Sequence, residues 1–174
     1  RPLFFSAQRS APFSLRESSV SILIDHMVHD LDLLTLHDPS PVCSIVASGA
    51  CVVTKLPDVV HAQIRFASGL KAVLMMDRAC IRKLGLLALQ GEQSYVSVDC
   101  DAYELKDYRP RGSCREQDAG IPPEERYARL LAEHTQVTTL SFPRINQIGE
   151  ALFCFAGAIS TKKADFGRAA TGAQ

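Results

Sequence analysis

The sequence predicts an α+β fold, a large, mainly antiparallel open sheet with helices packed on one face. Three observations carry that expectation. In His61-Ala-Gln-Ile-Arg-Phe66 the apolar Ala62, Ile64 and Phe66 alternate with polar residues. Ser68-Gly69 then turns the chain back into Leu70–Asp77, giving an antiparallel hairpin with one polar face. Leu84–Gln90 and Tyr95–Cys100 make a second hairpin around Gly91-Glu92-Gln93. Finally, the helical patterns lie outside the run of strands, so the alternating βαβ units of a parallel sheet are missing.

Taken in order, residues 2–9 read as a strand and Ser10–Glu17 as a loop. Ser18 and Ser19 offer a helix N-cap, and apolar residues recur at helical spacing as far as Leu36. Val20, Leu23, Ile24, Met27, Leu31 and Leu34 gather on one face at about 100° per residue. Asp25, His29 and Asp32 gather on the opposite one, flanked by Ile22 and Leu33. A helix apolar around most of its circumference is a buried one. Its few ionisable groups are therefore the site candidates.

His37-Asp-Pro-Ser-Pro41 stops this helix, because proline cannot continue it. Val42–Thr54, rich in β-branched and small residues, reads as a strand. After the two hairpins, Ala102–Tyr108 reads as one more strand and Arg109–Gly120 as a loop. Pro123-Glu124-Glu125 starts a short helix, with proline in the first position and carboxylates in the first turn. Val137–Phe142 is the last strand, Gln147–Ile159 an apolar helix, and the tail to Gln174 is small and polar.

The 174 residues suit one domain with a real core. The chain lacks a starting Met and opens on Arg1-Pro2-Leu3-Phe4-Phe5, which reads as the interior of a strand. It is therefore expected to be a piece of a longer protein. Nineteen basic against nineteen acidic residues argue against nucleic acid or an anionic membrane as partner. No apolar run approaches the roughly 18 residues of a membrane span, and no signal-peptide pattern opens the chain. The six cysteines show neither C-x-x-C nor zinc-type spacing and read as reduced, structural thiols of a cytoplasmic protein. No G-x-G-x-x-G occurs, so no cofactor-binding residue is expected within this chain.

The order strand, Arg9…Pro12-Phe13-Ser14…Arg16, then Val20…Asp25-x-Met27-x-His29-Asp30-x-Asp32-Leu33 resembles the C-terminal domain of the Gfo/Idh/MocA oxidoreductase family. The resemblance continues through Gly49, Phe66-Ala-Ser-Gly69, Met76-Asp-Arg78, Ile81-Arg82-Lys83, Tyr95-Val-Ser-Val-Asp99 and Glu150-Ala-Leu-Phe-Cys-Phe155. Residues 25–33, 95–99 and Glu104-Leu-Lys-Asp-Tyr108 look most like its UDP-N-acetylglucosamine 3-dehydrogenase branch.

The resemblance implies a two-domain enzyme whose N-terminal Rossmann domain, missing here, binds NAD or NADP. Residues 1–174 would then be the substrate-binding and oligomerisation domain. The whole protein would oxidise a secondary alcohol of a sugar or nucleotide sugar, with a homo-oligomer contact through the open sheet face. The isolated chain is expected to be inactive. Two alternatives stand beside this: an inositol or free-sugar dehydrogenase of the same family, and a non-catalytic binding or assembly module that kept the fold.

The family's Asp-x-x-x-His pair lies at its active site and falls on Asp25 and His29 here. Alcohol oxidation needs a base for the hydroxyl proton, and histidine suits it with an unperturbed pKa of about 6.5. A carboxylate one helical turn earlier can orient the ring or stabilise the imidazolium. Asp32 could touch substrate or cap nearby backbone. Arg9, Arg16 and Arg78 suit phosphate or carboxylate recognition, and a nucleotide sugar would use them so. Pairing with Asp30, Asp32 or Glu17 is the equal alternative for these arginines. His26 reads as structural. Asp25 and His29 alone do not make a zinc site, so no metal is expected.

Overall fold

Pro2–Ser10 forms strand β1, and it lies inside the sheet with a partner on each side. The structure is a computed structural model that describes residues 1–15, 19–92, 94–110, 120–122, 124–126, 128–129 and 135–144. The strands that follow are β2 (Val42–Ala50), β3 (Val59–Phe66), β4 (Lys71–Asp77), β5 (Leu84–Gly91), β6 (Tyr95–Asp99), β7 (Glu104–Pro110) and β8 (Thr135–Ser141). Their order in one eight-stranded sheet is β2-β3-β4-β1-β5-β6-β7-β8. Every pairing is antiparallel except that of β1 with β4. That parallel pair exists because the chain leaves β1 through the helix and returns by way of β2 and β3.

Both predicted hairpins form, β3 with β4 and β5 with β6. Gly69 closes the first at φ +93°, a left-handed conformation that costs glycine least. The chain divides into two compact units, Arg1–Ser141 and Phe142–Gln174, and all eight strands belong to the first. The predicted helix at 147–159 lies outside the described residues. Of the short helix expected at Pro123, residues 124–126 and 128–129 are helical, with Arg129 paired to Glu125 at 3.0 Å.

Several strand boundaries differ from the expectation. β7 runs on to Pro110, into the stretch read as a loop from Arg109, where it pairs with a β8 that begins at Thr135 instead of Val137. β2 ends at Ala50 instead of Thr54, because the amides of Val52, Val53 and Thr54 turn onto the carboxylate of Asp58. β7 begins at Glu104 instead of Ala102. There the Asp99 carboxylate accepts the amides of Asp101 and Ala102, and Tyr103 takes φ 56° to complete the turn.

The helical segment spans Ile22–His37, but its first turn is not α-helical. Leu23–Met27 is a π turn, closed by the Val28 amide on the Leu23 carbonyl five residues back. The α-helix proper, α1, is Val28–His37. The cap differs from the expected serines: Ser21 receives the Leu23 amide on its hydroxyl and the Ile24 and Asp25 amides on its carbonyl, and Ser18 lies outside the described residues. The end at His37, ahead of Asp38-Pro39, is where proline predicts it.

Because the π turn takes five residues, the buried helical positions are Ile22, Met27, Asp30 and Leu34. The expected apolar face is corrected accordingly: Leu23 and Ile24 point outward, at 42% and 69% exposure. Ile22, Met27 and Leu34 pack with Phe5 and Ala7 of β1, Val60, Ala62, Ile64 and Phe66 of β3, and Ala72, Leu74 and Met76 of β4. Each large side chain buried there contributes about 1.5–3 kcal/mol. The core therefore sits between the helix and one face of β3, β4 and β1. The other face carries the polar row His61, Gln63, Arg65 and Lys71, all exposed.

Candidate active site

Asp25 stands in the middle of the π turn, with its side chain one-third exposed. Its Oδ2 atom is shut off from solvent and accepts no hydrogen bond among the described residues. The Nε2 atom of His26 lies 3.8 Å from this oxygen. His29 follows in the first turn of α1 and is exposed. Asp25 and His29 thus share one helical segment, while the polar contact of Asp25 among the described residues is to His26. The physical reason is the widened turn, since an i→i+5 helix no longer stacks residue i+4 directly over residue i. His26, read from sequence as structural, is 25% exposed and belongs to this cluster.

Asp32 is exposed, and its carbonyl accepts the Thr35 hydroxyl at 3.0 Å. Arg16 lies outside the described residues.

The other two arginines form ion pairs. Arg9, near the end of β1, donates to Asp30 from Nε at 2.7 Å and from Nη2 at 2.6 Å. The hydrogen bond from Asp30 holds the Arg9 guanidinium above its ordinary pKa, outweighing the opposing effect of burial. Of the two readings open for Arg9, the structure displays the pairing with Asp30. Burial pushes the thiol of Cys100 up, with Arg9 partly opposing. Cys43, Cys51, Cys80 and Cys100 are free thiols.

Arg78, one residue beyond β4, is wholly buried and donates from Nε to Asp58 at 2.9 Å and from Nη1 to the Val20 carbonyl at 2.6 Å. Asp58 is also wholly buried. Burial alone would raise its pKa, but the amides of Thr54, Val53 and Val52 and the Arg78 side chain hold it well below the usual carboxylate range. Asp58 was not singled out by its residue pattern. Its only local signal is Thr54 four residues earlier, whose hydroxyl donates to Asp58 at 2.9 Å.

On the sheet face away from the helix, a shallow depression of about 220 Å³ is walled by Gln8, Met75, Leu86, Ala88 and Tyr95 among others. Being on the opposite face, it is separate from the Asp25 and His29 cluster. Among the described residues no group of three His, Cys, Asp or Glu side chains could hold a metal ion. No described helix is long and apolar enough to cross a membrane.

No family model matches the sequence. A curated protein, the UDP-N-acetylglucosamine 3-dehydrogenase of Acidithiobacillus ferrooxidans, is 30% identical over 98 residues, which are 56% of this chain and 31% of that protein. A solved structure of the Acidithiobacillus ferrooxidans UDP-N-acetylglucosamine 3-dehydrogenase superposes with a TM-score of 0.73 at 24% identity, covering 92% of this chain and 47% of the other. Levoglucosan dehydrogenase, solved with NADH and L-sorbose, superposes with a TM-score of 0.57 at 14% identity, covering 82% and 40%. This chain therefore spans less than half the length of each of these proteins. Its fold is that of the C-terminal domain of Gfo/Idh/MocA-type dehydrogenases.

Proposed function

We propose that this chain is the substrate side of an NAD(P)-dependent dehydrogenase that oxidises a secondary alcohol of a sugar or nucleotide sugar, with UDP-N-acetylglucosamine the favoured substrate. The observation that carries the reading is the placing of Asp25 and His29 along one helical segment whose sheet-facing side is pinned by Arg9 and Arg78. The likeness to the UDP-N-acetylglucosamine 3-dehydrogenase supports the substrate class.

In this reading His29, exposed and free to meet a ligand, accepts the hydroxyl proton. Asp25 lies four residues earlier, and its Oδ2 accepts no hydrogen bond among the described residues. Its one-third-exposed carboxylate adds negative charge to the helical segment that carries His29. Asp32 and Arg16 are the further candidates for substrate contact. The described residues contain no glycine-rich strand-to-helix turn, and the parallel pair β1 and β4 is joined through β2 and β3 as well as the helix, so they do not fit a dinucleotide on their own. NAD or NADP is assigned to a separate dinucleotide-binding domain of the whole protein. The open sheet face, with its depression at Met75 and Ala88, is assigned to a homo-oligomer contact.

The deciding experiment is His29→Ala in the whole protein. Turnover should fall by about 100-fold or more, in the range of a lost general base. Stability should change by no more than about 0.5 kcal/mol, because the side chain is exposed. Near-normal turnover would remove His29 from the mechanism. Thermal stabilisation by UDP-N-acetylglucosamine and not by inositol would support the favoured substrate, and the reverse would favour an inositol dehydrogenase.

A further inference from the structure

We infer that Arg78 is a positioning residue for Asp25, acting through the backbone that leads into the π turn. The inference rests on the proposed role of Asp25. Asp58 is held from three sides, by the amides of Val52 and Val53 at 2.7 Å, by that of Thr54 at 2.9 Å, and by the Thr54 hydroxyl. Its own amide donates to Ala50 at 2.8 Å, and its carbonyl receives the Arg78 amide at 3.0 Å. The carboxylate is thereby a fixed anchor, and it aims the Arg78 fork. One arm of that fork returns to Thr54 Oγ1 at 3.3 Å, while the other reaches the Val20 carbonyl at 2.6 Å. Val20 is joined to Ser21, whose carbonyl receives the amides of Ile24 and Asp25, both at 3.0 Å. A continuous series of short polar contacts therefore runs from the β2–β3 loop to the backbone of Asp25.

A role in packing alone would not need this chemistry. Apolar side chains of similar volume commonly replace a buried ion pair without loss of stability. They cannot fix the direction of one chosen carbonyl, which a guanidinium does through rigid, planar donors. The carbonyl chosen lies at the entrance to the π turn, a helical form found frequently at functional sites.

The test uses the whole protein and compares Arg78→Lys with Thr54→Val. Lysine keeps a cation beside Asp58 but cannot grip Asp58 and Val20 as a fork does, whereas Thr54→Val disturbs the cage without touching Val20. Arg78→Lys should speed amide hydrogen exchange at Ile24 and Asp25 by about tenfold or more, the scale of one charge-assisted hydrogen bond. Exchange in β3 and β4 should stay unchanged. The same variant should lower kcat by a similar factor with KM for the dinucleotide unchanged, and Thr54→Val should do neither. Unaltered exchange at Ile24 and Asp25, or acceleration spread equally through β3 and β4, would overturn the inference. Faster exchange at Ile24 and Asp25 with normal kcat would uphold the positioning and overturn the role of Asp25 in turnover. If Arg78→Lys does not fold, Asp58→Asn carries the same expectations, since it removes the charge that aims the fork.

Discussion

Asp30 faces the sheet from α1 with no exposed side-chain surface, and Arg9 of β1 meets it with two donors, at 2.6 and 2.7 Å. A carboxylate occupies a core position of the helix, and only a guanidinium delivered by the central strand makes that tolerable. The pair sets the rotation of α1 over β1, and so which side of the helical segment, that bearing His29 included, is turned outward.

Breaking this pair from one side should be costly. Arg9→Ala leaves Asp30 buried without its cation, and the expected loss is about 3–5 kcal/mol in urea unfolding. Replacing both partners by apolar residues, Arg9→Met with Asp30→Leu, should recover most of it. A double variant as unstable as the single one would show that the pair does more than satisfy its own charges.

Asp58 makes acid stability testable with a definite sign. Its folded-state pKa lies below the ordinary carboxylate value, so its contribution is fully present above the unfolded pKa of about 3.9. That contribution is lost as pH falls further, towards the folded pKa. Thermal midpoints measured at pH 7 and near pH 3 should therefore converge in Asp58→Asn relative to wild type. An equal drop in both proteins would mean that Asp58 contributes nothing to the acid limb.

The chain of 174 residues by itself should neither bind NAD or NADP tightly nor turn over. Calorimetric titration with either dinucleotide is the measurement, and a tight, saturable isotherm would overturn the division of labour proposed above.

If copies of the protein meet through the open sheet face, a charge placed in its centre should separate them. Ala88→Arg lies in the depression beside Gln8 and Tyr95 and away from the helix. Sedimentation of the whole protein should show a smaller species for this variant, with the dehydrogenase fold retained by circular dichroism. An unchanged sedimentation coefficient would move the contact elsewhere.

The antiparallel character of the sheet was legible in the amino-acid sequence because it is written locally. Alternation in His61–Phe66, a glycine at a turn that needs positive φ, and proline after Asp38 each act within a few residues. The helical segment carrying Asp25 and His29 was legible for the same reason. Its rotation and its register were not. Periodicity counts 3.6 residues per turn, and one five-residue π turn changes the phase between its two ends, so that Ile22, and not Leu23 or Ile24, shares the buried side with Met27, Asp30 and Leu34. The partners of Arg9 and Arg78 were equally beyond local reading. A guanidinium in the sequence can serve a ligand or a carboxylate, and the choice depends on which segments meet across 20 or more residues of chain. Residue types and short-range spacing determined the antiparallel hairpins and the helical segment. Only tertiary packing decided which side of the helix faces outward and what holds it there, because burying a charge is settled by its distant partner.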